Sequence, residues 1–246
     1  MPVDLHRGEE DLNRYSARAL TVLCAAGSLF FGVAMHARPN AAQNLHASAD
    51  WARLLAAKSL GNPNAPIKVE VFSDYECPAC GRFYEGTLRP MIDDYVLSGK
   101  VYLVHRDFPL PMHKYSREAA RWANAAARIG HFEPVDRVLY DNQAVWGEHG
   151  SAEGDIRKFV QAALPPAEFK RVERLMQGCE SDSHSEIAGC AVDAEIQHDM
   201  AAAQLLPVTQ TPTFIVSARG QSYPPTAGAI SWPLMKQFFD QILSQR

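Results

Sequence analysis

The chain has 246 residues, 47% of them hydrophobic and 21% charged, enough for one well-filled domain or two small ones and unlike a chain disordered throughout. Its 24 basic residues stand against 28 acidic ones, for a formal net charge of -4. With no Lys/Arg run and mixed charge along the chain, a nucleic-acid partner is not expected.

Residues 1–18 are polar and carry Arg7, Arg14 and Arg18, and from Ala19 to Met35 no charge occurs. An uncharged run of this size lies between a signal-peptide core and the ~20 residues of a full membrane helix. Residues 19–37 therefore read as a membrane anchor or signal segment. Met35-His36-Ala37 is a poor cleavage pattern, because Met35 stands where a small side chain belongs, and this favours an uncleaved anchor. The arginines ahead of the run put residues 1–18 in the cytoplasm and export the body, to the periplasmic side of the inner membrane or the cell envelope. Cys24 becomes a membrane-buried thiol. Residues 38–60 read as a linker, with a short amphipathic helix over Asp50–Leu60. Gly61-Asn62-Pro63-Asn64-Ala65-Pro66 then breaks the chain ahead of a folded domain over 61–246.

Ile67 to Phe72 is a largely buried strand with Glu70 out of pattern, and Cys77-Pro78-Ala79-Cys80 follows it closely. If the cysteines open the next helix, unpaired backbone N–H groups and the helix dipole stabilise a Cys77 thiolate. A redox pair is the leading reading. Half of a zinc site and a permanent bridge are the others, but Cys179 and Cys190 are too widely spaced to be a second zinc knuckle.

The helix after Cys77 runs through Tyr95, with Pro90 expected to kink it, and Val101 to His105 is the next strand. Helices are expected over Ser116–Ile129, Phe132–Gln143, Ile156–Ala163, Pro166–Met176 and about Ser185–Leu205. The sheet resumes at Thr213-Phe214-Ile215-Val216, turns at Arg219-Gly220 and continues through Gln221-Ser222-Tyr223. Ser231 to Leu243 closes the chain as an amphipathic helix.

From about Ile67 onward the chain resembles the DsbA-like branch of the thioredoxin superfamily. The matching stretches are Val71-Phe72-Ser73-Asp74-Tyr75-Glu76-Cys77-Pro78-Ala79-Cys80, then Arg106-Asp107-Phe108-Pro109-Leu110, then Thr211-Pro212-Thr213-Phe214. The resemblance implies an α/β thioredoxin-like fold. A helical insertion, about residues 113–205, would separate the N-terminal strand-helix-strand unit from the cis-proline strand. It also implies a thiol:disulfide oxidoreductase that exchanges disulfides with cysteine-containing polypeptides and is reset by an unidentified redox partner, with no metal or organic cofactor. Oxidase is favoured over reductase or isomerase, since the segment before the domain is a poor dimerisation region. The competing reading is a non-catalytic module binding a soft metal such as Cu(I), or a peptide.

On the family pattern Cys77 is the exposed nucleophile and Cys80 the buried resolving thiol. Pro212 is the cis-proline, Thr211 lies against the sulfurs and pairs with substrate, and Pro78 and Ala79 tune the site. Two departures bear on strength. No histidine stands between the cysteines, which predicts a weaker oxidant than relatives that have one. Val71 stands where relatives often carry a buried acid, while its neighbour Glu70 points to the opposite face and reads as a surface ion-pair residue. One unbroken helix would hold Cys179 and Cys190 about 16 Å apart, but the polar stretch Glu180–Ser185 lets them fold together, and an exported setting predicts a second, structural disulfide. His105 and His113 read as surface or capping residues.

Overall fold

The computed structural model describes residues 50–147, 152–177 and 192–245. The anchor expected at 19–37, Cys24, and the expected Cys179–Cys190 bridge lie outside the described residues. Among the described residues no helix is long and apolar enough to cross a membrane.

Helix α1 (residues 50–57) leads into β1 (Ser59–Leu60), β2 (Ile67–Ser73) and α2, which begins as Pro78–Phe83. The chain stays helical from there to Val96, through wide π-type turns at Tyr84–Leu88 and Ile92–Val96 on either side of Pro90. Proline has no N–H for the usual bond four residues back, and the backbone answers with five-residue bonds, Arg89 N donating to Tyr84 O. β3 (Val101–Asp107) follows. The helical block is α3 (Ser116–Ala127), α4 (Phe132–Asp141), α5 (Gln143–Trp146), α6 (Ala152–Ala163), α7 (Pro166–Met176) and α8 (Asp193–Leu205). The sheet closes with β4 (Thr213–Ala218), β5 (Gln221–Ser222) and β6 (Thr226–Ala227), and α9 (Trp232–Ser244) ends the chain.

The sheet order is β1-β3-β2-β4-β5, with β6 also on β4. β2 is central, parallel to β3 and antiparallel to β4. Its alternation follows: Ile67, Val69 and Val71 enter the main core with Phe83, Leu88 and Met91, while Phe72 faces the other way onto Ala203, Val208 and Ile215. A fully buried Phe such as Phe72 or Phe83 contributes about 1.5–3 kcal/mol by leaving water. The register also sets the site. Ser73 pairs with Asp107 and Phe72 with Thr213, so the exits of β2 and β3 and the entry to β4 share one edge.

The fold starts earlier than residue 61. The helix expected over Asp50–Leu60 stops at 57, because Ser59–Leu60 takes the free edge of β3 and Lys58 is drawn inward between two carboxylates. Lys58 is 2% exposed, which no linker residue would be.

Candidate active site

Cys77 sits at the N-cap of α2 with extended backbone (φ -67, ψ 118), and Pro78 takes the first helical position, where a missing N–H does no harm. Cys80 N and Gly81 N donate to Cys77 O at 2.9 and 3.1 Å, so the first turn of the helix places Cys80 beside Cys77. Both are free thiols. The expected exposed nucleophile is 7% accessible against 1% for Cys80, so access to Cys77 is narrow and the contrast between the two is one of degree. Pro78 is exposed and Ala79 partly so.

The two sulfurs differ sharply in acidity. Cys77 is drawn down from 9.0 to about 5, first by the hydrogen bond from Cys80. Burial opposes this, and the Thr211 hydroxyl and the N–H groups of Cys80 and Ala79 add to it. Thr211 Oγ1 is buried without a hydrogen-bond partner. Burial pushes Cys80 far up, and the bond to Cys77 and the charge on that sulfur add to the rise.

The Thr211–Pro212 peptide is cis, and Cys77 Sγ lies 3.7 Å from Thr211 O. Antiparallel entry into β4 brings this bend to Cys77 across a sequence separation of 134. Gly228 N binds Pro212 O at 2.7 Å, fixing the bend from its other side.

Several residues to which the sequence assigned no role at the site hold the turn. Asp74 accepts Glu76 N at 2.8 Å on one oxygen, and Leu110 N at 2.8 Å and His113 Nδ1 at 2.7 Å on the other. Glu76 in turn accepts Tyr115 N at 2.5 Å. From α5, Gln143 Nε2 donates to Tyr75 O at 2.6 Å and to Cys77 O at 2.9 Å. Gly81 makes room for it, since a Cβ there would strike Gln143 Oε1. An i,i+4 pattern cannot reveal a bond made 66 residues away; Gly81, one residue after the second cysteine, was the only local hint.

The surface reading of His105 does not hold. His105 is 7% exposed in β3, stacked on Tyr75 and 3.3 Å from Asp107, and so belongs to the core rather than the surface. His113 borders, with Glu76, Pro78, Arg82, Tyr140 and Gln143, a cleft of about 690 Å³ beside the cysteines. Its hydrogen bond to Asp74 raises its pKa first, and the Cys77 charge adds to the rise. The basic group beside the cysteine turn thus comes from the loop after β3 rather than from between the cysteines. Replacing it, His113→Ala, is expected to raise the Cys77 pKa by about 0.5–1 unit, read from thiolate absorbance at 240 nm, and to lower the reduction potential by about 15–30 mV. An unchanged titration would refute this role.

Val71 faces the main core, so no acid enters from that position, and Glu70 on the other face binds Arg106 at 2.8 Å and Lys68 at 2.5 Å. Among the described residues no cluster of three metal-ligating side chains occurs.

A family model described as Thioredoxin matches residues 56–231. The chain is 31% identical over 179 residues to the Na(+)/H(+) antiporter NhaA 3 of Salinispora tropica, covering 72% of this chain but only 24% of the antiporter. It is 28% identical over 167 residues to the probable disulfide bond formation protein D of Bacillus cereus, covering 65% and 69% of the two chains. The structure of α-DsbA1 from Wolbachia pipientis superposes with a TM-score of 0.59 at 18% identity, over 75% of this chain and 89% of that one.

Proposed function

We propose a thiol:disulfide oxidoreductase: the chain belongs to the thioredoxin family, in its DsbA-like branch, and Cys77 and Cys80 are its reacting pair. One observation carries the reading. The two thiols are set apart in acidity, Cys77 near 5 and Cys80 far above its ordinary value, at a helix start that faces the Thr211–Pro212 bend. A thiolate that forms readily is both a nucleophile and a good leaving group, so a mixed disulfide on Cys77 forms and breaks quickly.

In the oxidising direction a substrate thiolate attacks Cys77 Sγ and the Cys77–Cys80 bond breaks with its electron pair on Cys80. A second substrate thiolate then attacks the substrate sulfur and displaces Cys77. The substrate leaves as a disulfide, two electrons having passed to the pair. Thr211, ahead of the cis peptide, would present its backbone to a bound polypeptide. The low Cys77 pKa stabilises the reduced pair and so favours oxidase over reductase or isomerase. Export, tethering through residues 19–37 and resetting by an external redox partner belong to the same proposal, supported by the uncharged run Ala19–Met35. This chain spans 24% of the antiporter relative, and the transport named there is that protein's.

The test is oxidation of a reduced dithiol peptide and, separately, reduction of insulin, each with the native chain and with Cys77→Ala. Turnover that falls at least 100-fold in the variant is expected. Turnover absent from the native chain in both assays, with tight Cu(I) binding by the thiols, would overturn the reading in favour of a metal-binding module.

A further inference from the structure

On the redox reading, on which the proposal below rests, Cys80 is set free each time the bridge opens. Its sulfur is 1% exposed and becomes the leaving group when the bridge opens, yet burial keeps it from remaining a thiolate. A proton must reach it. At the position where relatives often carry a buried acid stands Val71, which lines a cavity of only about 20 Å³ with Tyr84, Leu103, His105, Asp136 and Tyr140.

Two hydroxyls lie on another route. Ser73, the last residue of β2, is 3% exposed, and its hydroxyl draws the Cys80 pKa down against burial, as a donor facing that sulfur would. Ser73 Oγ also lies 2.6 Å from the hydroxyl of Tyr140, the i+67 partner on α4. Tyr140 is 7% exposed and lines the 690 Å³ cleft. We propose that Ser73 and Tyr140 form a two-hydroxyl relay that carries a proton between the cleft and the Cys80 sulfur.

Each hydroxyl both donates and accepts, as a relay requires. When the substrate thiolate bonds to Cys77 and the disulfide breaks, the electron pair is left on Cys80 Sγ. The Ser73 proton passes to that sulfur, the Tyr140 proton passes to Ser73 Oγ, and a water in the cleft returns a proton to Tyr140. Of the two protons given up by a substrate dithiol, one therefore ends on Cys80 and the other stays in solvent, because Cys77 remains a thiolate. In the reverse direction the same chain carries the proton outward.

The groups facing the relay have other partners. Asp136, on α4 four residues before Tyr140, accepts from Tyr75 at 2.8 Å and lies 3.8 Å from His105. Asp74 is taken by Glu76 N, Leu110 N and His113. Cys77 is oriented to Thr211. Tyr140 itself is pushed far up by burial, with Cys80 and Asp136 adding to it, so it hands protons on rather than holding a charge. Its ring packs tilted against Tyr75 and stacks on Tyr84, 4.8 and 4.5 Å between centroids, and Tyr140→Phe keeps that packing while removing one hydroxyl.

The experiment is a single turnover of the oxidised full chain with a dithiol peptide, followed by stopped flow from pH 5 to 9 in water and in deuterium oxide. Tyr140→Phe and Ser73→Ala are expected to slow the bridge-opening step roughly 10–100-fold and to change its pH profile and solvent isotope effect. The Cys77 thiolate titration should stay put, and Ser73→Thr should recover the rate to within about threefold. Wild-type rates and isotope effects in Tyr140→Phe would overturn the relay, as would a slowing matched by an equal shift of the Cys77 titration. Failure of the native chain to turn over at all would instead refute the redox reading on which the relay rests.

Discussion

Replacing Lys58 by methionine is expected to destabilise the fold by about 3–5 kcal/mol near neutral pH, the usual consequence of stripping one partner from a buried ion cluster. Lys58 Nζ lies 2.6 Å from Asp107 Oδ2 and 2.5 Å from Asp199 Oδ2, with all three side chains at most 2% exposed. Burial alone would lower the lysine pKa, but the two carboxylates more than reverse it and hold the cation. Arg106, at 2.9 Å, still pairs with Asp199 in the variant, and Asn124 still donates to Asp107 at 2.8 Å, so Asp107 is the group left with an uncompensated charge. In the native chain its pKa is lowered: burial works upward, and Lys58, the largest opposing influence, outweighs it together with His105. Without Lys58 the burial is unopposed by that cation and the pKa rises above its unfolded value. A raised carboxyl destabilises above the unfolded pKa, and that loss is recovered as pH falls and the acid takes a proton. The gap between Lys58→Met and the native chain should therefore narrow at pH 4. In a thermal melt it amounts to about 6–20 °C near neutral pH. A variant that melts within about 2 °C of the native chain at pH 7 would show that the cluster contributes little.

Lys58 also marks a limit of what the sequence discloses. Segments whose identity is local were legible: the buried strand Ile67–Ser73, the helix opened by Cys77, and the β4 strand after Pro212 appear where period, proline and cysteine placed them. Thr211 and Cys77 could be brought together because β2 and β4 are neighbours in a known type of sheet, a relation the motifs carried and the residues alone did not. Lys58 could not be found this way. A lysine after a short amphipathic helix reads as solvated unless the acids that meet it are known, and Asp107 and Asp199 lie 49 and 141 residues on. The same holds for Gln143 and Tyr140, whose bonds to Cys77 O and Ser73 span 66 and 67 residues. His113 is the instructive case. The missing histidine between the cysteines was visible, but a histidine stands beside the turn all the same, on the loop after β3, oriented by Asp74 within the recognised motif. With that histidine beside the turn, the expected weakness of the oxidant does not follow from Pro78 and Ala79 alone.

The second large effect is a dependence on pH set by Cys77 itself. The Cys77 thiolate should be formed with a midpoint near pH 5 in the folded protein, against 9.0 for an unperturbed thiol. The causes are the Cys80 hydrogen bond first, then Thr211 and the helix-start N–H groups, working against burial. A depressed pKa adds stability that is complete above the unfolded pKa and is lost as pH falls through the folded one. Only the reduced protein has this thiolate. Relative to the bridged form, reduced protein should thus be more stable at pH 7 than at pH 4.5. The two pH units between 5 and 7 set an upper bound of about 2.7 kcal/mol, and solvent screening at a partly open sulfur brings the expected difference to about 1–2 kcal/mol. Urea denaturation of both redox forms at the two pH values measures it, because groups that titrate alike in the two forms cancel in the difference. A reduced-minus-bridged gap that is equal at both pH values, or larger at pH 4.5, would mean that Cys77 is not held as a thiolate. The oxidase direction would then lose its driving force, since what opens the bridge in favour of substrate is the stability of the sulfur it releases.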